Sequence, residues 1–222
     1  MTVEGAVLRL VRAVTFILAN IVLGLAAATL SACGPGGAPA IAPLEDQLLE
    51  PGPLGEREYG NPNAAVTVIE YVSLTCPHCR AYHANVFPKV KRAYIDTGRV
   101  RYIIREFAIG QTAGAAAIVT RCAPEAKFLP LTEAYLSRQR EWVSQEVRKD
   151  ALYKIAKTSG MSRAQFDKCL SNQSIIDGLT EVKQRGRKYG VVGTPTFFIN
   201  GQKVQGDVTF EQMKALIEPK AT

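Results

Sequence analysis

Two cysteines separated by two residues, Cys76 and Cys79, carry the chemistry that the sequence predicts. They follow an apolar run, residues 65–72, and precede a segment of helical character that begins at Arg80. A cysteine at the start of a helix faces unpaired backbone N–H groups and the positive end of the helix dipole, and both favour its thiolate. We therefore expect Cys76 to be the nucleophile of thiol–disulfide exchange, with Cys79 one turn away as the resolving thiol.

The two residues between the cysteines suit this chemistry. Pro77 fits the first turn of a helix because it lacks an N–H group that would have no partner there. His78 can donate a hydrogen bond to sulfur or carry positive charge beside it. We expect the helix end and His78 together to lower the pKa of Cys76.

A structural zinc site is the alternative use of such a cysteine pair, and it needs a second half. The other downstream cysteines, Cys122 and Cys169, are far apart in the sequence, and no histidine follows His83. This pattern does not have the ligand spacing of zinc sites. We therefore expect neither a metal nor another cofactor.

Two motifs resemble those of one protein family. Residues 70–79 read Glu-Tyr-Val-Ser-Leu-Thr-Cys-Pro-His-Cys, and residues 192–197 read Val-Gly-Thr-Pro-Thr-Phe. Together they resemble the DsbA family of periplasmic thiol:disulfide oxidoreductases, which have the thioredoxin fold, over about residues 56–218. The resemblance implies a cis bond before Pro195 that leaves the Thr194 backbone free to pair with an extended substrate. A trans proline at a strand start is the alternative.

The elements around these motifs predict an α/β fold. Strands over residues 65–72 and 99–107, joined by a helix after Cys79, form a βαβ unit that presents Cys76 at the rim of the sheet. Helical patterns then dominate about residues 111–189, which is too much helix for thioredoxin alone. The resemblance implies a thioredoxin fold with an inserted helical subdomain. Two strands and a helix close the chain, at residues 196–199, 202–205 and 210–217.

Glu70 is an acid on an otherwise apolar strand face. By the two-residue period of a strand it shares that face with Val66, Val68 and Val72. A carboxylate among valines needs a reason to be there, and Glu70 resembles the acid that relays protons to the resolving cysteine in thioredoxin-like proteins. The alternative places it in water at a frayed strand end.

Cys122 and Cys169 both lie in the helical region. In an exported protein, two cysteines that remain after the reactive pair has been assigned most simply form a structural disulfide. A second redox pair or two free thiols remain open, because spacing alone does not establish that the two cysteines are close. Some members of the DsbA family carry a second disulfide in the helical insertion, and these positions resemble it.

The N-terminal residues predict export. Residues 1–32 have the form of a secretory signal, with Arg9 and Arg12 before an apolar run that ends in small residues. The run closes as Leu-Ser-Ala-Cys at residues 30–33, which resembles the lipobox of bacterial lipoproteins and predicts a lipid on Cys33. Ordinary cleavage after a small residue and an uncleaved anchor are the alternatives.

Residues 33–55 are rich in Gly, Pro and Ala, and we expect a flexible tether between the lipid anchor and a domain over residues 56–222. This organisation predicts a protein of the bacterial periplasm or cell envelope, held at a membrane through Cys33. A tether this short cannot form the dimerisation domain of thioredoxin-superfamily isomerases, so we expect a monomer. The net charge of +7 is scattered without an aromatic-interleaved face, which argues against nucleic-acid binding.

These observations predict an enzyme that introduces disulfides into reduced, unfolded exported polypeptides. A substrate thiolate attacks Cys76 and releases Cys79. The resemblance implies reoxidation by a membrane quinone-linked protein of the DsbB type. A reductase or isomerase of the same fold is the alternative, because Thr194 resembles the residue found there in such relatives. From a different class, a lipoprotein chaperone is a further alternative.

Overall fold

A five-stranded sheet forms the centre of the computed structural model, which describes residues 44–220. Across the sheet the order is β1-β3-β2-β4-β5, with β2 and β3 parallel and the other neighbours antiparallel. The strands are β1 (Arg57–Gly60), β2 (Val66–Val72), β3 (Val100–Glu106), β4 (Thr196–Ile199) and β5 (Gln202–Gln205). β2 is therefore the middle strand, which agrees with its nearly continuous apolar sequence.

Helices pack on both faces of this sheet. In chain order they are α1 (Leu44–Leu49), α2 (Pro77–Asn85), α3 (Phe87–Val90), α4 (Gln111–Cys122), α5 (Glu125–Ser137), α6 (Gln139–Trp142), α7 (Lys149–Ala156), α8 (Arg163–Leu170), α9 (Gln173–Lys188) and α10 (Phe210–Ile217). Single turns of π-helix and 3₁₀-helix occupy Lys91–Ile95, Lys157–Ser159 and Glu218–Lys220. Helices α4 to α9 lie between β3 and β4, which confirms the predicted α/β fold with an inserted helical subdomain.

Alternation along β2 divides the core into two parts. Val66, Val68 and Val72 belong to the larger apolar cluster, which α2, α5, α7 and α10 complete. Ile69 and Tyr71 point to the opposite face and belong to a smaller cluster. The two-residue period of this strand therefore holds for its apolar side chains.

The hairpin between β4 and β5 fixes the register of the last strands. Asn200 and Gly201 have φ values of 43° and 80°, the left-handed conformation that a tight two-residue hairpin turn requires. Asn200 also accepts a hydrogen bond at Oδ1 from the backbone N–H of Thr67, 2.7 Å away, at the start of β2. The turn therefore locks β4 against the strand that leads to Cys76.

The segment before β1 differs from its prediction as a flexible tether. Leu48 in α1 is 1% exposed and packs with Ile69 and Phe198 on the smaller core face. Arg185 donates hydrogen bonds to the carbonyl oxygens of Glu50 and Pro51, each at 2.8 Å. The predicted tether is therefore wrong for its second half, residues 44–55, because apolar burial and arginine–carbonyl bonds dock it.

Two buried ion pairs hold β3, one to Glu56 just before β1 and one to α4. Arg105 Nη2 lies 2.8 Å from Glu56 Oε1, and Arg121 Nη2 donates to Glu106 Oε2 at 2.7 Å. Arg121 also donates to the carbonyl oxygen of Gly55 at 3.1 Å. Buried charges are tolerated where they are paired and hydrogen-bonded in this way.

The predicted signal peptide and the lipid site at Cys33 lie outside the described residues. Within residues 44–220, no helix is both long enough and apolar enough to span a bilayer.

A disulfide links two helices of the helical insertion. Cys122 at the end of α4 and Cys169 in α8 are bonded, with their Cα atoms 6.1 Å apart. The two cysteines are 47 positions apart in sequence, so the bond closes a long loop. In the chain-entropy account, a loop of that size restricts the unfolded chain by about 4 kcal/mol.

We predict that a Cys122→Ser/Cys169→Ser variant unfolds at a lower urea concentration than the wild type and still exchanges disulfides at Cys76. The expected loss of unfolding free energy is about 4 kcal/mol, because the unfolded chain regains the loop entropy. Urea denaturation of both oxidised proteins measures it. A bond between Cys122 and Cys169 that opens in mild reductant as readily as the Cys76–Cys79 bond would contradict a structural role.

Candidate active site

Cys76 is the N-cap residue of α2, just beyond the carboxyl end of β2. Its backbone is extended, with φ −76° and ψ 123°, and Pro77 opens the helix behind it. Cys79 follows one turn later and is fully buried, whereas Cys76 is partly exposed, and both are free thiols. The local sequence thus gives one accessible and one inaccessible sulfur.

The two sulfurs have opposite acidities. The pKa of Cys76 is lowered to about 5, chiefly because the Cys79 thiol hydrogen-bonds its sulfur, with burial acting in the opposite direction. Backbone N–H groups of Cys79 and His78 at the helix start add smaller contributions. Burial, hydrogen bonding to Cys76 and the nearby Glu70 carboxylate all raise the pKa of Cys79. Cys76 is therefore the thiolate at neutral pH, and Cys79 stays protonated.

The loop before β4 faces Cys76 across the sheet. The Thr194–Pro195 peptide bond is cis, and Cys76 Sγ lies 3.0 Å from the Thr194 carbonyl oxygen. Thr194 Oγ1 is buried and has no hydrogen-bond partner within residues 44–220, so it is free to turn towards the sulfur. The Thr194 side chain lowers the pKa of Cys76, because a hydroxyl can donate to a thiolate once the thiol proton has left.

The imidazole of His78 pairs with Asp207, and not with the sulfur of Cys76 as the sequence predicts. Its Nδ1 atom lies 2.9 Å from a carboxylate oxygen of Asp207, and both side chains are largely exposed. The group of His78 that acts on Cys76 is its backbone N–H. Asp207 had no signal in the sequence, because its contact with His78 joins positions 129 residues apart.

Gln139 was also missed by sequence reasoning. It lies in α6, in the helical insertion, and its Nε2 atom donates to the carbonyl oxygens of Leu74 at 2.8 Å and Cys76 at 2.9 Å. Both carbonyls belong to the loop between β2 and α2. The insertion therefore holds the active-site loop in place through one buried amide.

Glu70 is fully buried in β2, so the alternative of a frayed strand end is wrong. Its Oε2 atom accepts a hydrogen bond from Tyr102 at 2.8 Å, and its Oε1 atom lies 3.1 Å from Nε2 of His83. Tyr82 in turn contacts the Tyr102 hydroxyl at 3.1 Å. The acid is thus held in a polar network beneath Cys79, inside the larger apolar core.

Three large apolar side chains are exposed at the surface, and two of them lie near the site in structure or sequence. Of the large hydrophobic residues that the structure describes, Ile109, Val143 and Val192 are more than a third exposed. The carbonyl of Ile109 accepts a hydrogen bond from Thr75, the neighbour of Cys76, at 3.4 Å. Val192 precedes Thr194 by two residues. Ile109 and Val192 thus add apolar surface near the site, which also carries the exposed His78–Asp207 pair.

Comparison with known proteins agrees with this geometry. Residues 54–219 match the family described as thioredoxin. A Rickettsia typhi protein named as a protein-disulfide oxidoreductase is 34% identical over 150 residues, which are 66% of this chain and 55% of that protein. Disulfide bond formation protein D of Bacillus subtilis is 23% identical over 175 residues, covering 76% of this chain and 78% of that protein.

A solved structure shares the fold over most of this chain. The crystal structure of Wolbachia pipientis alpha-DsbA1 superposes with a TM-score of 0.73 at 29% identity, covering 80% of this chain and 96% of that one. The chain spans only about half the length of the rickettsial relative, so that likeness concerns one part of the larger protein. The family match covers most of the chain. The chain therefore belongs to the thioredoxin family, as a DsbA-like member of that superfamily.

Proposed function

We propose that this protein is a thiol:disulfide oxidoreductase that introduces disulfides into exported polypeptides. The observation that carries the proposal is the opposite acidity of its two sulfurs: the pKa of Cys76 is about 5, and that of Cys79 is raised. A dithiol that holds one sulfur as a stable thiolate stabilises the reduced enzyme, and a disulfide whose reduced form is stabilised is a strong oxidant.

The reaction transfers two electrons from a substrate dithiol to the enzyme disulfide. A substrate thiolate attacks Cys76, the Cys76–Cys79 bond breaks, and Cys79 leaves and takes up a proton. A second substrate thiolate then attacks the substrate sulfur of the mixed disulfide, and Cys76 departs as a thiolate. The fully buried position of Cys79 directs the first attack to Cys76.

The surface around the site supports an unfolded polypeptide as the substrate. The Thr194–Pro195 loop lies beside the nucleophile, where an extended chain can pair with the Thr194 backbone. Ile109 and Val192 offer exposed apolar contacts on the same rim. Such contacts suit reduced chains that have not yet buried their own apolar side chains.

Glu70 is proposed to pass a proton to Cys79 as that sulfur leaves. Its carboxylate raises the pKa of Cys79, after the larger effect of burial, so the two groups interact through the protein interior. A carboxyl group held in a buried polar network can accept and return a proton without admitting bulk water.

The cellular setting is proposed from the sequence. Export through residues 1–32 and a lipid on Cys33 would hold the domain in the periplasm or cell envelope, close to emerging polypeptides. A membrane quinone-linked protein of the DsbB type would reoxidise it, and the enzyme would act as a monomer. The relatives named for disulfide bond formation support the activity proposed for this setting.

A reductase or isomerase of the same fold is the second candidate. Thr194, which lies beside Cys76, favours it because it resembles the residue found at this position in reducing or isomerising relatives. The reduction potential separates the two functions, since the sulfur geometry serves either direction of exchange.

We predict a reduction potential more oxidising than roughly −200 mV, towards the value of about −120 mV known for a strong oxidant of this fold. The low pKa of Cys76 is the reason, because it stabilises the dithiol form. Equilibration of the Cys76–Cys79 pair against a glutathione redox series measures the potential. A value near roughly −270 mV, typical of thioredoxin, would instead support a reductase.

We also predict that iodoacetamide modifies Cys76 before Cys79 in the reduced protein, with half-maximal reactivity near pH 5. The thiolate is the reactive form, so reactivity rises with pH through the pKa of about 5 and is lost below it. Peptide mass spectrometry after a short alkylation locates the label, and Cys76→Ser is the matched control. Earlier labelling of Cys79 would reverse the assigned roles.

The lipid anchor gives a further prediction. Cys33 is expected to be the mature N-terminus and to carry acyl chains, each buried CH₂ contributing about 0.8 kcal/mol to membrane binding. Cys33→Ser should release the domain into the soluble fraction of the envelope. The intact mass of the wild-type N-terminus decides the matter, since an unlipidated cut site or retention of residues 1–32 contradicts the anchor.

A further inference from the structure

A buried histidine beneath the active site has one nitrogen without a partner. His83 lies in α2, one turn after Cys79, and its side chain is 3% exposed. Its Nε2 atom contacts both oxygens of Glu70, at 3.1 Å and 3.2 Å. Its Nδ1 atom is buried and makes no hydrogen bond within residues 44–220. An unpartnered polar atom in a core is costly, so a function is a reasonable explanation for it.

Acidic groups on two elements interact with His83. Glu70 faces it from β2 and acts on Cys79. Glu133, in α5, is only partly buried and interacts electrostatically with His83. Because α5 packs against α2, the helical insertion supplies the second of these groups.

We propose that His83 carries the proton that Cys79 takes up or gives back, working through Glu70 and exchanging with solvent on the Glu133 side. His83 is then a proton-transfer residue: it positions Glu70 and returns a proton to it. It does not touch the substrate. The inference deepens the proposed function and rests on it, since it concerns the same exchange reaction.

The proton balance of the step is simple. When the substrate thiolate attacks Cys76, the Cys76–Cys79 bond breaks, and Cys79 leaves with the electron pair and receives a proton through Glu70. Glu70 takes that proton from Nε2 of His83, and Nδ1 of His83 takes one from solvent. The Cys76–Cys79 bond is thus replaced by a bond between Cys76 and the substrate sulfur, one S–H bond forms at Cys79 and one solvent proton is consumed. Reoxidation runs the path backwards and returns the ring proton to Nε2.

The surrounding side chains leave few other carriers for this proton. The Tyr102 hydroxyl donates to Glu70 and the Tyr82 hydroxyl contacts that of Tyr102, and burial raises the pKa of both tyrosines well above the usual value. The ring of Phe87 packs 4.7 Å from that of His83 and closes the apolar side. On the outer side Lys91 interacts with Glu133. Of these groups, an imidazole is the one that ordinarily gains and loses a proton near neutral pH.

The test compares two variants of the network. His83→Gln keeps an N–H donor for Glu70 but cannot relay a proton, whereas Tyr102→Phe removes the other donor to Glu70 and leaves His83 intact. The rate of disulfide reduction by glutathione is measured from pH 5 to 8 by acid quenching and mass spectrometry, corrected for glutathione ionisation. The equilibrium constant with glutathione is measured in parallel.

We expect His83→Gln to slow reduction at pH 7 about tenfold or more, within the range of general acid–base effects, and to flatten the pH profile. The equilibrium constant should change less than about threefold. Tyr102→Phe should keep the wild-type shape of the profile, because its proton carrier remains. A His83→Gln rate within about twofold of wild type at every pH overturns the inference, as does an equal flattening in Tyr102→Phe.

Glu133→Gln keeps the inference testable if His83→Gln does not fold, because Glu133 lies near the surface. We expect it to slow reduction about threefold, and an unchanged rate and profile would overturn the inference. Failure of the proposed function looks different: wild-type protein that does not exchange disulfides with glutathione at all would overturn that function. Normal wild-type exchange with an unaffected relay variant would overturn the relay alone.

Discussion

The site depends on one long-range constraint, the pairing of β2 with β4. These strands are antiparallel, with Tyr71 opposite Thr196, so the loop at Pro195 meets the loop that follows β2. Cys76 and Thr194 are 118 positions apart in the sequence, yet this register brings sulfur and carbonyl oxygen within 3.0 Å. A slip of one residue would turn the β4 side chains to opposite faces and separate the two loops.

The helical insertion is part of the active site. Through Gln139 it fixes the loop carbonyls of Leu74 and Cys76, and through α5 it covers His83. Without that cover the polar network beneath Cys79 would be open to water, and the contrast between the two sulfurs would shrink because burial is the main cause of the high pKa of Cys79.

The local parts of this structure were predictable, and several contacts made at long range were not. The strand at Thr196–Ile199, its partner and the closing helix have their predicted bounds, since a short apolar run and the Asn200–Gly201 turn are signals within a few residues. The docking of α1, the Asp207 partner of His78 and the role of Gln139 depend on tertiary contacts. The largest contribution to the low pKa of Cys76 is the hydrogen bond from the Cys79 thiol. That hydrogen bond depends on side-chain orientations, which residue spacing does not specify.

The polar network around Glu70 is better explained by chemistry than by stability. A buried carboxylate loses its hydration, and even well-made hydrogen bonds often do no more than offset that loss, so valine or leucine would serve this apolar face at least as well. Glu70 instead engages Tyr102 and His83, and the His83 ring keeps an unpartnered nitrogen at further cost. The effect of Glu70 on Cys79 places this network where the proposed proton transfer to and from that sulfur needs it.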